Sequence, residues 1–325
     1  MRALVQPRFG DPSEVLSVQE VPDPQPGPGQ ALVRVLLSPI HNHDLWTVRG
    51  SYGFKPEMPA RAGTEAVGVV EALGEGVEGL TVGQRVASGG SFGAWAELIV
   101  APAAGLVPVP DAIDDEAAAQ LVSMPFSAIA LLDFLEVSEG DWIVQNAANG
   151  AVGRLLAQLG AARGVHVLGL VRRADGVEEL REQGIEQVVA TDDDGWRDRV
   201  SAIVGGAPIV AGVDSVGGRA AGDVVSLLAD DGVLVVFGAM ASPTLEIASG
   251  DVIFKQTVIK GFWGSKVFGA MSGAKRGALM GELVSGIASG ALTLPVEKVY
   301  RLDEIAEAAR ANQAPGRRGK ILLRP

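Results

Sequence analysis

Residues 141–163 read DWIVQNAANGAVGRLLAQLGAAR, an apolar run followed by a glycine-containing turn and a leucine-rich segment. The apolar run predicts a buried strand, and the spacing of the leucines predicts a helix with one apolar face. Gly150 would let the backbone approach a pyrophosphate, and Gly153 would let the helix pack closely on the strand. Ala148 occupies the first glycine position of the G-x-G-x-x-G pattern, so the turn departs from the generic motif. Strand, turn and helix together still predict a dinucleotide-binding unit.

The sequence after residue 141 continues to alternate apolar runs with helical segments, which is typical of a parallel, doubly wound sheet. Six runs are expected to form its strands: 142–144, 165–171, 187–190, 210–213, 233–237 and 258–262. Six parallel strands make a complete dinucleotide-binding Rossmann sheet. A helix at 275–289 and a strand at 320–323 follow, and we expect this tail to return to the first domain.

The N-terminal part of the chain has a different residue pattern. Short β-branched runs at 31–37, 66–73 and 95–101 end at Pro or Gly and predict a compact, mostly β unit. Near Glu116 the sequence becomes Ala-rich and helical. The sequence therefore predicts an α/β protein with a dinucleotide-binding domain in 122–265 and a catalytic domain built from 1–121 and 266–325.

Composition excludes several classes of function. The 325 residues contain no Cys, so the chain has no disulfide, no thiolate nucleophile and no Cys-ligated zinc. The formal charge of −12 includes no long basic run, which argues against nucleic-acid binding. No apolar run reaches the roughly 18 residues of a membrane span, and the first residues do not resemble a signal peptide. We therefore expect a cytoplasmic protein without a membrane segment.

The end of the strand after the glycine turn indicates which dinucleotide the chain binds. It ends in Arg172 and Arg173, nineteen residues after Gly153, where a site for NAD would carry a carboxylate for the ribose 2′-hydroxyl. Two guanidinium groups suit a 2′-phosphate instead, because Arg offers a planar fork and a permanent charge. The alternative is a solvated basic cap of the next helix. The pair predicts NADPH as the cofactor.

Four segments resemble the zinc-free branch of the medium-chain dehydrogenase/reductase superfamily, and most closely its 2-enoyl thioester reductases. They are 50–59 (GSYGFKPEMP), 145–153 (QNAANGAVG), 214–218 (DSVGG), and 237–240 (FGAM) with 253–255 (IFK) and 260–263 (KGFW). The resemblance covers nearly the whole chain. It implies a GroES-like catalytic domain built from both chain ends, a cleft between the domains, and a homodimer joined through the cofactor sheets.

The resemblance also implies roles for individual residues. Tyr52 lies in the segment that carries the active-site tyrosine of the thioester reductases, and it is the candidate proton donor or carbonyl anchor. His41 stands where Asn is common and is expected to approach the nicotinamide. Further cofactor-binding residues are expected at Ser127, Asn146, Asn149, Gly150, Ala151, Val152, Gly153, Phe237, Gly238, Met240, Phe262 and Trp263.

A metal site is an alternative reading of the segment around His41. The segment His41-Asn42-His43-Asp44 carries imidazole and carboxylate groups, which suit zinc, and Glu65 is the only obvious candidate for a third ligand from elsewhere. In the zinc alcohol dehydrogenases of the superfamily, a Cys stands near the position of His41 and a His near that of Thr64. This chain keeps neither, so we expect a polar loop without metal.

The expected reaction is reduction of the C=C bond of a 2-enoyl-CoA or an enoyl-acyl carrier protein. Hydride would go to the β carbon and a proton to the α carbon. Reduction of a quinone or a small enone is the nearest alternative, and a non-enzymatic NADPH-binding protein is a third. Thioester carriers bring phosphate, so a basic rim would favour the first reading; its candidates are Lys55, Arg61, Lys266, Lys275 and Arg276.

Overall fold

The structure is a computed structural model that describes residues 1–325 and divides into two compact units. The first unit comprises Met1–Met124 and Val284–Pro325, and the second unit comprises Pro125–Leu283. The chain thus leaves the first unit once and returns to it. No helix in either unit has both the length and the apolar character needed to cross a membrane.

The N-terminal part of the first unit is mostly β. Its strands are β1 (Arg2–Gln6), β2 (Ser17–Glu20), β3 (Gln30–Pro39), β4 (Ala60–Arg61), β5 (Glu65–Leu73), β6 (Arg85–Gly89), β7 (Leu98–Pro102) and β8 (Val107–Pro108). Its helices are α1 (Pro12–Val15), α2 (Asn42–Arg49) and α3 (Asp115–Ala118). The predicted β runs thus lie in β3, β5 and β7. Strand β3 is long because it pairs on both sides, with β5 and with β7.

The second unit alternates helices and strands. Its strands are β9 (Trp142–Gln145), β10 (His166–Val171), β11 (Val188–Ala190), β12 (Ile209–Asp214), β13 (Val233–Val236) and β14 (Val258–Gly261). Its helices are α4 (Ser123–Phe134), α5 (Ala151–Ala162), α6 (Ala174–Arg181), α7 (Trp196–Val204), α8 (Gly218–Leu227), α9 (Ser249–Lys255), α10 (Gly264–Ala270) and α11 (Gly273–Ala288). The unit boundaries fall inside α4 and α11.

All six strands of the second unit are parallel, in the order β11-β10-β9-β12-β13-β14. Order reverses beside β9, which is the topological switch point where doubly wound sheets bind their ligands. Helices α5 and α8 pack on the sheet through buried residues such as Leu156 and Val224, which are completely inaccessible to solvent. The predicted doubly wound sheet with a second, mostly β domain is confirmed.

The C-terminal tail completes the first unit. It consists of β15 (Val296–Arg301), α12 (Ile305–Gln313) and β16 (Lys320–Arg324). Strand β16 pairs antiparallel with the end of β3, with Leu322 opposite Pro39, and parallel with β15. The main sheet of this unit therefore runs β15-β16-β3-β5-β6-β8, with β7 also paired to β3.

The return to the first unit occurs at residue 283, whereas the sequence placed it at 265. Residues 266–283 stay with the second unit because their side chains pack there. The ring of Phe268 meets that of Phe126 edge to face, with centroids 5.1 Å apart. Lys275 pairs with Asp133 at 2.7 Å, and Glu282 pairs with Arg163 at 2.8 Å. An amphipathic helix can pack on either unit, and these side-chain contacts place residues 266–283 in the second unit.

Candidate active site

The glycine turn after β9 forms an open helix N-terminus. Helix α5 begins after Gly150, and no side chain caps its first N–H groups. A Cβ on Gly153 would lie 2.7 Å from the carbonyl oxygens of Ala147 and Ala148, so only glycine lets the helix approach the turn this closely. Unpaired N–H groups and the positive end of the helix dipole favour a phosphate group. The backbone thus has the geometry expected for pyrophosphate binding.

Asn146 holds this turn to the neighbouring loop. Its side-chain Nδ2 donates to Asp214 at 2.6 Å, and its Oδ1 accepts the backbone N–H of Ser215 at 2.8 Å. Asp214 is fully buried and also accepts the N–H groups of Val216 and Gly217. Asn146 therefore fixes the ends of β9 and β12 relative to each other. The sequence indicated Asn146 but assigned no role to Asp214, because its partners are distant in sequence.

The two arginines after β10 differ in their surroundings. Both are exposed, and Nε of Arg173 pairs with Asp175 at 3.2 Å. Ala174, next along the chain, donates its N–H to Asp192 at 3.2 Å. Arg172 makes no ion pair, so its guanidinium is the one available to a 2′-phosphate. The structure therefore favours Arg172 over Arg173 for that role.

The loop after β13 lies at the same edge of the sheet. The N–H groups of Phe237 and Gly238 donate to the backbone carbonyl of Asp214 at 2.7 and 3.2 Å. The N–H of Met240 donates to the carbonyl of Ser215 at 3.1 Å. These bonds place the three residues beside the Asn146 loop, at the carboxyl ends of the strands.

Phe262 and Trp263 follow β14 and differ in exposure. Trp263 is 67% exposed, whereas Phe262 is only 6% exposed. Three phenylalanine rings surround Phe262: Phe134, Phe237 and Phe268. Phe262 is thus packed among aromatic rings, and its contact with the cofactor stays a prediction. Ser127 lies in α4, and Asn149 lies beside Gly176 at the start of α6.

A separate polar cluster forms in the first unit around His41. Nε2 of His41 lies 2.6 Å from Oε2 of Glu65, and Nδ1 lies 2.9 Å from Nζ of Lys320. The backbone N–H groups of Val122 and Ser123 donate to Oε1 of Glu65 at 2.6 and 2.9 Å. All three side chains are buried. An ammonium group only donates, so Nδ1 accepts and Nε2 carries the proton that it donates to Glu65.

Burial changes the titration of this cluster. Burial, with the adjacent charge of Lys320, holds the pKa of His41 well below its ordinary value, so the ring is neutral. Burial raises the pKa of Glu65 to about 7 and lowers the pKa of Lys320 to about 8. Glu65 accepts hydrogen bonds at both oxygens, from His41 and from the Val122 and Ser123 backbone, a pattern that only the carboxylate satisfies. We therefore assign Glu65 and Lys320 as a buried ion pair with neutral His41 between them.

A second hydrogen-bonded chain starts at Asp44, on the first turn of α2. Its Oδ2 accepts the backbone N–H of His41 at 2.9 Å, which caps the helix. Its Oδ1 accepts the hydroxyl of Thr64 at 2.7 Å, and Oγ1 of Thr64 lies 2.8 Å from Nε2 of His43. The rings of His41 and His43 stack with centroids 5.0 Å apart.

Tyr52 lies at the exposed end of these rings. Helix α2 ends at Gly50, whose φ of 75° places it in the left-handed region, and the chain turns there toward Tyr52. The Tyr52 ring is tilted against that of His43, with centroids 5.9 Å apart. Burial and the charge of Asp44 raise the pKa of Tyr52, so its hydroxyl keeps its proton at neutral pH. The structure thus brings together the two sequence-predicted catalytic candidates, His41 and Tyr52, through His43.

The residues around His41 do not fit a zinc ion. Both ring nitrogens of His41 are engaged, and a cation at Nδ1 would have to displace the ammonium group of Lys320. No group of three or more His, Cys, Asp or Glu side chains is arranged to hold a metal. Sequence reasoning missed Lys320 and the role of Thr64, and it considered Asp44 only in the metal alternative. The available sequence signal for Lys320 was its position directly before the apolar run Ile321–Leu323.

The basic residues proposed as a rim fall into two groups. Lys275 is paired with Asp133, and Arg276 donates to the backbone carbonyl of Phe268 at 2.6 Å. The remaining three are exposed: Lys55, Arg61 and Lys266.

Comparisons with known proteins agree with this architecture. Residues 27–111 match the alcohol dehydrogenase GroES-like domain, and residues 151–276 match the zinc-binding dehydrogenase family. The chain is 30% identical to the human mitochondrial enoyl-acyl-carrier-protein reductase over 330 residues, 99% of this chain and 88% of that protein. It superposes on Escherichia coli quinone oxidoreductase complexed with NADPH with a TM-score of 0.89, 25% identity and complete coverage of both chains. A mycobacterial quinone oxidoreductase gives a TM-score of 0.87, 29% identity and complete coverage of both.

Replacing Arg172 should change the cofactor preference. An Arg172→Asp variant removes the cation available to a 2′-phosphate, so we expect kcat/KM with NADPH to fall about 10- to 100-fold. The value with NADH should change much less. Arg181→Asp is the control, because Arg181 is an exposed arginine at the far end of α6, the helix that follows Arg172. An unchanged NADPH preference in Arg172→Asp would show that the residue is misassigned.

Replacing Lys320 should destabilise the protein. Lys320→Met leaves the Glu65 carboxylate buried without its cation, and breaking such a pair costs about 3–5 kcal/mol of unfolding free energy. Lys298→Met is the control on the neighbouring strand β15, where the lysine is exposed and rests on the ring of Tyr300. Urea unfolding of both variants measures the difference. Equal urea midpoints for Lys320→Met and wild type contradict the ion-pair assignment.

Proposed function

Because the chain belongs to the zinc-free branch of the medium-chain dehydrogenase/reductase superfamily, close to the enoyl reductases, we propose that it reduces the C=C bond of 2-enoyl thioesters. It is an NADPH-dependent oxidoreductase, and the proposal concerns its substrate. The observation that carries the proposal is the position of Tyr52, a protonated hydroxyl at the exposed end of the His43, Thr64 and Asp44 chain. Reduction of a conjugated thioester needs such a donor at its carbonyl oxygen.

The two units would then supply different parts of the reaction. NADPH, when bound, supplies the hydride for the β carbon. In the second unit, the amides at 150–153 and the Arg172 guanidinium would bind the pyrophosphate and 2′-phosphate, and the loop with Gly238 and Met240 would line the site. In the first unit, Tyr52 would donate a hydrogen bond or a proton to the thioester as negative charge develops on its carbonyl oxygen.

Two exposed basic residues of the first unit, Lys55 and Arg61, favour a substrate bound to a phosphate-containing thioester carrier. Lys55 and Arg61 follow Tyr52 in sequence and are not engaged in ion pairs. Coenzyme A and the phosphopantetheine of acyl carrier protein both carry phosphate, which these side chains would attract. A quinone or simple enone carries no such group.

A second candidate function is reduction of quinones or small enones. The rings of Phe54 and Phe92 stack with centroids 4.4 Å apart, and both are exposed. A flat aromatic surface of this kind would suit a quinone ring as well as an acyl chain. Two of the compared structures are quinone oxidoreductases. The substrate assay below is designed to separate the two functions.

The assay follows NADPH absorbance at 340 nm with crotonyl-CoA, a longer 2-enoyl-CoA, crotonyl-N-acetylcysteamine, a p-quinone and a cyclic enone. We expect the CoA thioesters to be preferred, because the first unit offers both a hydroxyl donor and exposed cations. The N-acetylcysteamine thioester lacks phosphate, so its KM should be about tenfold higher, the cost of one charged contact. Turnover of the quinone without turnover of any thioester would contradict the proposal.

We also propose a homodimer formed through the edge of the second unit's sheet. All four residues of β14 are exposed at this edge, and the adjacent α9 exposes Phe254 at 83% and Ile253 at 58%. An unpaired, apolar edge strand invites pairing with another strand. A second copy of the chain offers the same strand, and the pairing would be symmetric.

The dimer can be tested with one exposed residue of β14. Ile259→Arg places a charge in the proposed interface, so we expect the variant to be a monomer by light scattering at a concentration where wild type is a dimer. Val82→Arg is the control, because Val82 is also an exposed β-branched residue and lies in the first unit. A monomeric wild type, or a dimeric Ile259→Arg, would exclude this interface.

A further inference from the structure

We propose that His43 supplies the proton for the α carbon, that Thr64 and Asp44 position it for this step, and that Tyr52 holds the thioester carbonyl. The inference rests on the proposed function and divides between two neighbouring side chains the tasks that the sequence assigned to Tyr52 alone. It is carried by the hydrogen-bond pattern around His43.

The pattern fixes which nitrogen of His43 carries a proton. Asp44 is a carboxylate and only accepts, so the Thr64 hydroxyl must donate to it. The single hydroxyl proton of Thr64 is then used, and Oγ1 can only accept from Nε2 of His43 at 2.8 Å. Nε2–H is thereby committed to Thr64. Nδ1 makes no hydrogen bond within the protein and is the nitrogen left to take up and release a proton.

The groups around His43 distinguish it from the stacked ring of His41. Asp44 places a carboxylate 3.5 Å from Nε2 of His43. The stacked ring of His41 stays neutral because burial and Lys320 hold its pKa well below the ordinary value. Glu65 on β5 and Lys320 on β16 face the far side of His41 with opposite charges, and Tyr52 faces His43 as a neutral phenol. The side chain of His43 is 23% exposed, so solvent can reprotonate it.

Tyr52 is better suited to holding the carbonyl than to giving up its proton. Its raised pKa makes the hydroxyl a weak acid that still donates a hydrogen bond to an enolate oxygen. In a thioester, the α carbon is two bonds from that oxygen. A carbonyl held by Tyr52 therefore presents its α carbon to the neighbouring ring, which is that of His43, tilted by 33° against the phenol.

The step balances as follows. Hydride addition to the β carbon leaves an enolate whose negative charge is shared by the carbonyl oxygen and the α carbon. The Nδ1–H bond of the His43 imidazolium breaks, a C–H bond forms at the α carbon, and the C=O bond of the thioester is restored. His43 is left neutral and takes its next proton from water. The substrate has gained one hydride and one proton.

The experiment compares His43→Gln with Tyr52→Phe over pH 5.5–9, using whichever substrate of the panel the wild type turns over best. In wild type, kcat should fall as pH rises, because the imidazolium form is lost. His43→Gln should lower kcat about 100-fold and abolish this pH dependence, with KM changed little, because a general acid contributes on this scale. Tyr52→Phe should raise KM, lower kcat and keep the pH dependence.

The positioning role of Thr64 has its own pair of variants. Thr64→Val loses the hydroxyl at nearly constant volume, and Thr64→Ser keeps it, so the serine variant should restore the pH dependence that valine loses. His166→Gln is the control for a histidine substitution, because His166 is exposed at the start of β10. Thermal unfolding of each variant separates loss of the proton donor from loss of the fold.

Two results overturn the inference: a His43→Gln variant that keeps the wild-type kcat and pH profile, or a Tyr52→Phe variant that alone abolishes the pH dependence. The failure of the proposed function is a different result, namely a wild type that reduces only quinones or enones. The variants are then read on that substrate, whose reduced form also needs a proton. Loss of the pH dependence in His43→Gln supports the role of His43 there, and retention refutes it.

Discussion

The pairing of β16 with the end of β3 is the interaction on which the first unit depends. It joins residues from opposite ends of the chain, with Leu322 opposite Pro39, and the N–H of Ile40 continues it by donating to the carbonyl of Ile321. This pairing carries Lys320 into the interior beside His41. Without it, Glu65 and His41 would lack their cation, and the sheet of the first unit would end at β3.

Burying the charges of Glu65 and Lys320 costs desolvation free energy. The hydrogen bonds of the pair determine its effect on His41. Desolvation of two buried charges offsets most of their attraction, so the pair adds little net stability compared with apolar residues. What it provides is a fixed arrangement: a neutral His41 with its proton on Nε2, stacked against His43. His43 is therefore stacked against an uncharged ring. The ion pair thus adds little stability, but it fixes which ring nitrogen of His41 carries the proton.

The sequence predicted the fold better than the site, for a physical reason. Strand and helix periodicities are local, so β9, α5 and the Gly153 turn could be recognised from adjacent residues. The partners of Asp214 and Lys320 lie far away in sequence, at Asn146 and at His41, and no local pattern connects them. The expected strand at 258–262 was nearly right in its limits, yet the burial of Phe262 depends on rings from three other segments. Side-chain environment is a tertiary property even where the backbone is local.

The proposed functional groups of the two units differ in kind: backbone amides in the second unit and side chains in the first. In the second unit the proposed phosphate site consists of backbone N–H groups at the start of α5, in a turn shaped by Gly153 and held by Asn146. In the first unit the proposed functional groups are side chains in a chain of hydrogen bonds that runs from Asp44 through Thr64 to His43. The two parts of the proposed reaction therefore depend on different features: backbone geometry for the hydride source, and side-chain hydrogen bonds for the acceptor.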